Sequence, residues 1–119
     1  MIETAALANR TLSFCLKGVQ SAAEFGDLSN TLPSTNSQRR WCVLFDWSAL
    51  EGWDDRREFN LSCRSWHATA ERIMRASIVH RPRWNHEAAL LAAVLRVHGA
   101  QVRSWQTGER AQALAWLSS

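Results

Sequence analysis

The chain has little of what several specialised classes of protein require. Its 119 residues include three cysteines, two prolines and no tyrosine. Cys15, Cys42 and Cys63 are widely spaced without a CxxC pair, which favours free thiols in a reducing cytosol over a disulfide framework. The longest apolar runs have about six residues, whereas a membrane span needs ~20, so the sequence predicts no membrane span. An acid, Glu3, stands where a signal peptide has its basic start, which favours a cytoplasmic protein.

Motifs that carry enzyme or metal chemistry are also missing from the sequence. The five glycines are scattered singly, so there is no glycine-rich phosphate loop, and no G-x-S-x-G nucleophile elbow is present. The four histidines show no HxxxH or similar metal-ligand spacing. The sequence therefore predicts no catalytic site, no metal site and no cofactor.

What is present is typical of a single globular domain over residues 1–119. Hydrophobic residues make up 46% of the chain and charged residues 21%, which is unlike a disordered protein, and 119 residues suffice for one hydrophobic core. The net charge is only +3. Between Glu71 and Glu87 there is no acid, and the arginines there predict either a solvated face or a local anion site: Arg72, Arg75, Arg81 and Arg83.

Strand-like and helix-like stretches alternate along the chain. The apolar patterns predict strands at residues 1–5, 11–17, 41–45, 75–80 and 100–105, and helices at about residues 21–32, 54–73, 86–98 and 108–117. The first two strands form a hairpin through residues 8–10, and WCVLF at 41–45, apolar on both faces, is the central strand. This order predicts an α/β fold with a largely parallel sheet, right-handed crossovers and helices packed on the sheet.

Local signals predict the ends and faces of several elements. Ser21 and Glu24 have the spacing of a capping box, Asn85 is a candidate N-cap, and Gly99 is the stop of the helix that Asn85 begins. Residues 33–38 are predicted to form a loop. An apolar stripe predicts the buried face of the second helix: Phe59, Cys63, Trp66, Ala70 and Ile73. The last helix is expected to bury Ala111, Leu114, Ala115 and Trp116.

Several segments carry a family resemblance. They are VLFDWSALEGWDD at 43–55, RASIVH at 75–80, VRSW at 102–105 and QALAWL at 112–117, with MIE at the start and KGVQSAAEF at 17–25 as weaker echoes. In this order they resemble the SpoIIAA-like proteins of the STAS domain superfamily, whose fold is shared with CRAL-TRIO and Sec14-type lipid-binding domains. The resemblance implies a layered α/β fold, with a mostly parallel five-stranded sheet and about four helices, and a regulatory binding function.

The same resemblance raises the question of a phosphorylation switch. In STAS anti-sigma antagonists the loop after the central strand ends in D-S-S-G, and its first serine is phosphorylated. Alignment on Asp46 and Ser48 places the family's aspartate on Asp54 and its phosphoacceptor on Asp55, so this chain lacks the acceptor at that position. Asp54 and Asp55 have a simpler reading as caps of the helix that follows, because aspartate satisfies unpaired N–H groups and the helix dipole. Ser48 is predicted to form a turn, and Gly52 to supply a backbone angle that other residues avoid.

Seven tryptophans are the most unusual feature of the composition. Trp41 and Trp66 fall on a strand and a helix and are predicted to lie in the core. Trp47, Trp53 and Trp84 lie in or beside loops that follow strands, where open α/β sheets bind ligands, and Arg81 and Arg83 belong to the same edge. An aromatic floor with arginines at its mouth could hold an amphiphile that has an anionic head.

The sequence therefore favours a non-enzymatic interaction module with a protein partner. The alternative is a carrier or sensor of a small hydrophobic or lipid-like anionic ligand. Nucleic acid is disfavoured as a partner, because the net charge of +3 is small and no recognition motif is present. The oligomeric state is left open, a dimer included.

Overall fold

The computed structural model of the chain describes residues 1–33 and 40–119, so residues 34–38 of the predicted loop lie outside the described residues. Five strands and four helices follow in the predicted order within them. The strands are β1 (Ile2–Leu7), β2 (Thr11–Gln20), β3 (Trp41–Trp53), β4 (Ile73–Val79) and β5 (Gln101–Trp105). The helices are α1 (Ala22–Leu28), α2 (Arg56–Ser65), α3 (Asn85–Val97) and α4 (Arg110–Leu117).

The strands form one sheet in the order β1-β2-β3-β4-β5. β1 is antiparallel to β2 and the other pairs are parallel, which confirms the predicted hairpin and the largely parallel sheet. Asn9 and Arg10 in the hairpin turn have φ angles of 61° and 54°, in the left-handed region that asparagine tolerates better than most residues.

The two faces of the sheet are covered by different helices. α1, α2 and α3 pack on one face around the larger core, to which Val43 and Phe45 contribute. α4 covers the other face, where Cys42 and Leu44 pack with Ala113 of α4. Residues 42–45 thus alternate between two apolar layers, which confirms the predicted central strand.

The second helix is shorter than its apolar stripe predicts. α2 ends at Ser65, and two 3₁₀ turns, Trp66–Ala68 and Ala70–Arg72, lead to β4, which begins at Ile73. All five residues of the predicted stripe are nevertheless buried. The 3₁₀ turns hold the chain against the same core, so burial at these spacings does not require one continuous helix.

The start of α3 also differs from the prediction. Asn85 is the first helical residue, with a φ of −54°, so the N-cap position is held by Trp84, whose side chain makes no capping hydrogen bond to the described residues. A 3₁₀ turn at Pro82–Trp84 leads directly into the helix and replaces a side-chain cap. Gly99 follows the end of α3 with a φ of +92°, as expected for a helix stop.

The last helix presents a different face to the sheet than the one predicted. Ala113 and Leu117 are buried, Leu114 and Trp116 are half-buried, and Ala111 and Ala115 are exposed. The helix is rich in alanine and has no strong apolar stripe, so its sequence does not determine which face is buried.

Candidate functional site

The segment that follows the central strand is not a loop. β3 continues to Trp53, so the prediction that the strand ends at residue 45 and that Trp47 and Trp53 lie in or beside a loop was wrong. β3 has one residue more than β2 opposite residues 15–17 and again opposite residues 18–19, which are two β-bulges. In a regular strand every second side chain faces the same side of the sheet. The bulges change this interval to three residues, so that Trp47, Leu50 and Trp53 all face the core.

Asp46 and Ser48 lie within this bulged strand. The N–H of Ser48 donates to Oδ1 of Asp46 at 3.0 Å, and Nε of Arg110 from α4 donates to Oδ2 at 3.1 Å. Asp46 is buried, and this ion pair with the half-exposed Arg110 compensates its charge. Ser48 is therefore part of a strand and not of a turn. The φ angle of Gly52 is not positive, so the prediction that Gly52 supplies a backbone angle that other residues avoid was wrong.

The predicted aromatic floor is part of the hydrophobic core. The ring centroids of Trp47 and Trp53 are 5.5 Å apart, with the rings nearly perpendicular. Phe25 of α1 and Phe59 of α2 pack on Trp53, with centroid distances of 5.4 and 4.6 Å. A ligand that contacts Trp47 or Trp53 would have to displace these side chains.

Trp84 is also buried, but it lies directly beneath charged groups. Its indole N–H donates to the carbonyl oxygen of Leu50 at 3.3 Å, which ties the ring to β3. The guanidinium carbons of Arg83 and Arg56 lie 4.5 and 5.7 Å from the Trp84 ring centroid, within the range of cation–π contacts. Trp84 therefore holds two arginines at the carboxyl ends of β3 and β4.

These arginines belong to an open cavity of about 430 Å³, here named the arginine cavity. It is lined by Arg56, Arg57, Asn60, Arg83, His86 and Glu87. Of the predicted ligand-binding residues, Arg83 lines this cavity and Trp84 holds its arginines, whereas the exposed Arg81 does not line it. A second cavity, of about 520 Å³, lies between α3 and β5, and no predicted site residue lines it.

Sequence reasoning did not combine the residues of the arginine cavity into one site. The lining residues come in two groups, one on α2 and one around the start of α3. The sequence does contain a signal for each group, because residues three or four apart share a helix face. Arg56, Arg57 and Asn60 are related in this way on α2. Arg83 and His86 are so related around the start of α3, and Glu87 is next to His86. Only the fold brings the two groups together.

Glu87 is the unusual member of the cavity, because it is a buried acid among cations. Its side chain is 6% exposed, and Oε2 lies 3.8 Å from Nη2 of Arg56. That distance allows an ion pair but is too long for a hydrogen bond. Within residues 1–33 and 40–119, no donor is within hydrogen-bond distance of this oxygen.

The two aspartates at the end of the segment cap different helices. Asp55 is the N-cap of α2, and its Oδ1 accepts from the N–H groups of Arg57 and Glu58 at 2.9 and 3.3 Å. Asp54 was predicted to cap the same helix, but its Oδ1 accepts from the N–H of Ala22, at 3.0 Å, in the first turn of α1. The adjacent acids therefore join the starts of two neighbouring helices.

The start of α1 has a second cap that the sequence predicted. Oγ of Ser21 accepts from the N–H of Glu24 at 3.2 Å, which is one half of the capping box. The Glu24 carboxylate instead accepts from the side-chain amide of Gln20 at 3.3 Å. Ser21 and Asp54 thus satisfy two different N–H groups of α1.

The cysteines do not have the environment of an activated nucleophile. Burial raises the pKa of the Cys63 thiol to about 12 and also raises the pKa of Cys42. The pKa of Cys15 is raised by burial and then by the negative charge of Asp46. A nucleophilic cysteine needs a lowered pKa, so these thiols are not suited to covalent catalysis near neutral pH.

The structure brings together two histidines that are 31 residues apart. Nδ1 of His67 lies 2.8 Å from Nε2 of His98, between the end of α2 and the end of α3. In the described part of the chain, no group of three or more histidine, cysteine or acidic side chains could hold a metal ion.

No helix among the described residues is both long and apolar enough to cross a membrane.

Comparison with known proteins identifies a family for the chain. A family model described as SpoIIAA-like matches residues 12–118, which is nearly the whole chain. No curated protein and no solved structure matches. The mixed α/β architecture, with its five-stranded and mostly parallel sheet, agrees with the STAS-type fold of that family. The chain therefore belongs to the SpoIIAA-like family.

Proposed function

We propose that the chain is a non-enzymatic interaction module that binds a protein partner around Asp54 and Asp55, with no phosphorylation switch at that position. The observation that carries the proposal is that two adjacent acids cap two helices. The Asp54 carboxylate accepts a hydrogen bond at the start of α1, and the Asp55 carboxylate accepts hydrogen bonds at the start of α2. Family membership supports the class, because it suggests a regulatory or interaction module of the STAS type.

The capping hydrogen bonds favour a binding surface whose charge is constant over one whose charge is switched by phosphorylation. A carboxylate carries about one negative charge, whereas phosphoserine carries up to two and gains them only on modification. Asp55, held by two N–H groups of α2, presents the same charge at all times. The exposed Arg56 and Arg57 follow directly, so a complementary partner presents acidic groups opposite them.

The variant Asp55→Asn separates the charge from the cap. Asparagine caps helices as well as aspartate, so we expect the free energy of unfolding to change by less than about 0.5 kcal/mol. We expect Asp54→Asn and Asp55→Asn, at two acids that do not line the arginine cavity, to lower the recovery of the partner in a pull-down that is quantified by mass spectrometry. The matched control is Arg103→Gln on β5, an exposed arginine outside this surface. If both variants recover the same proteins in the same amounts as the wild type, the acids are caps alone and the proposal fails.

A second candidate function is a carrier or sensor of a small anionic ligand. The arginine cavity favours it, because three arginines converge there at the carboxyl edge of the sheet. Phe25 and Phe59 pack on Trp53, so a long hydrophobic tail would have to displace them to lie on the predicted aromatic floor. Native mass spectrometry of freshly purified protein tests the carrier: a co-purified small anion supports it, and ligand-free protein counts against it.

A further inference from the structure

We infer that the arginine cavity binds a phosphate monoester that carries a hydroxyl group close to its phosphate. The inference rests on the small-anion candidate above and does not depend on the interaction module. It combines three observations on the described residues: uncompensated arginines, an anchored tryptophan beneath them and a buried carboxylate oxygen without a donor.

The positive charge of the cavity is largely uncompensated. Among residues 1–33 and 40–119, no carboxylate is within ion-pair distance of Arg57 or Arg83, and Arg56 reaches Glu87 only at 3.8 Å. Guanidinium groups present planar pairs of N–H donors that match phosphate oxygens, and several such groups around one anion are typical of phosphate sites. Asn60 and His86 add further polar groups to the lining, and about 430 Å³ accommodates a small ester.

Trp84 makes two of these arginines partly preorganised. The Trp84 side chain is 2% exposed and its indole N–H is hydrogen-bonded to the carbonyl oxygen of Leu50 in the central strand, so the position of the ring is fixed. Arg83 and Arg56 both lie over it, which restricts two long side chains that would otherwise lose more conformational entropy on binding.

Glu87 narrows the class of ligand. A buried carboxylate oxygen without a hydrogen bond is costly, and a ligand that donates to it would recover part of that cost. A fully ionised phosphate has no O–H to donate, so the donor has to be a neighbouring group of the ligand. A hydroxyl next to a phosphate monoester, as in glycerol 3-phosphate, places the anion among the arginines and the donor toward Glu87.

Isothermal titration with methyl phosphate, which has no hydroxyl group beside its ionised phosphate, and with glycerol 3-phosphate at low ionic strength tests the inference. We expect both to bind the wild type, glycerol 3-phosphate more tightly, and Arg57→Gln and Arg83→Gln each to weaken binding by about tenfold, because charge-assisted hydrogen bonds are lost. The matched control is Arg103→Gln, since Arg103 also lies over tryptophan rings, those of Trp105 and Trp116, but outside the cavity. No binding by the wild type, or an equal loss in Arg103→Gln, would overturn the inference.

The role of Glu87 has its own readout. Glu87→Met keeps the side-chain length but removes the acceptor and the charge, so we expect methyl phosphate, whose dianion has no O–H, to bind at least as tightly as before. The preference for glycerol 3-phosphate over methyl phosphate should fall severalfold. An unchanged preference would show that no ligand donor reaches Glu87 and would contradict the assigned class.

Vesicles distinguish a soluble ligand from a lipid headgroup with the same chemistry. Cosedimentation with phosphatidylcholine vesicles that contain phosphatidylinositol 4-phosphate, reduced in Arg83→Gln, assigns the phosphate to a lipid. Binding of glycerol 3-phosphate without cosedimentation assigns it to a soluble ester. The interaction module is judged separately, because Asp55→Asn should change partner recovery without weakening phosphate binding.

Discussion

Replacement of Phe25 by alanine is expected to lower the free energy of unfolding by about 3–5 kcal/mol, which is typical of a fully buried phenylalanine. Phe25 is 0% exposed, and its ring contacts five others at centroid distances from 5.4 to 6.2 Å. Those rings belong to Phe45, Trp47, Trp53, Phe59 and Trp66. Removal of the ring leaves a cavity among large rigid side chains that cannot collapse to fill it. Urea unfolding monitored by tryptophan fluorescence measures the loss.

Two variants provide the scale for this result. Phe25→Leu keeps most of the volume and should cost about 1–2 kcal/mol. Leu61→Ala removes a side chain that is 58% exposed on α2 and should change stability by less than about 0.5 kcal/mol. If Phe25→Ala costs no more than Leu61→Ala, the aromatic cluster is not packed as described, and the tryptophans could be accessible to a ligand after all.

Replacement of Gly26 by valine is expected to cost about 2 kcal/mol, the usual magnitude for overpacking a filled core. A Cβ atom at Gly26 would lie 3.1 Å from Cβ and 3.3 Å from Cα of Ser62. The second of these atoms belongs to the backbone of α2, so a rotamer change cannot relieve the contact and the two helices have to separate. Chemical denaturation of the purified variant measures the effect.

Gly52→Val is the matched control for this prediction. Apart from the two neighbours of Gly52 in the chain, no atom of residues 1–33 and 40–119 lies within 4 Å of a Cβ built at Gly52, and its φ is not positive. Valine also suits a strand position, so we expect Gly52→Val to leave stability unchanged or slightly raised. Equal losses in Gly26→Val and Gly52→Val would contradict the close approach of α1 and α2.

The fold was predictable where the signals are local. Within the described residues, the alternation of apolar patterns predicted the five strands and the four helices, because each pattern depends on neighbouring residues. The Ser21 cap and the Gly99 stop are local in the same sense, since each satisfies groups within one helical turn. The apolarity of residues 41–45 on both faces predicted the middle of the sheet for the same reason.

The prediction failed where pairing between distant segments determines the backbone. Residues 46–53 lack the alternation of a strand, because two bulges opposite β2 change the spacing of their buried side chains. The end of α2 depends on how the 3₁₀ turns reach β4 and not on helix propensity. The buried face of α4 depends on the sheet above which it lies, since its own sequence has little amphipathicity.

The candidate site was only partly predictable for a related reason. Asp54 caps a helix whose first residue, Ala22, is 32 positions away, and the residues next to Asp54 carry no signal of that helix. Arg56 and Trp84 come from different crossovers, and only the parallel arrangement of β3 and β4 brings them to one edge. The sequence did predict that acids at positions 54 and 55 act as caps, because helix starts have well-defined requirements.

Amide hydrogen exchange by NMR tests most directly the claim that the two adjacent acids hold two different helices. In Asp54→Ala we expect the N–H of Ala22 to exchange about five- to tenfold faster, with the N–H groups of Arg57 and Glu58 unchanged, since a cap contributes about 1 kcal/mol. In Asp55→Ala we expect the reverse. Faster exchange of Arg57 and Glu58 in both variants, with Ala22 unaffected, would contradict the account, because both acids would then belong to α2.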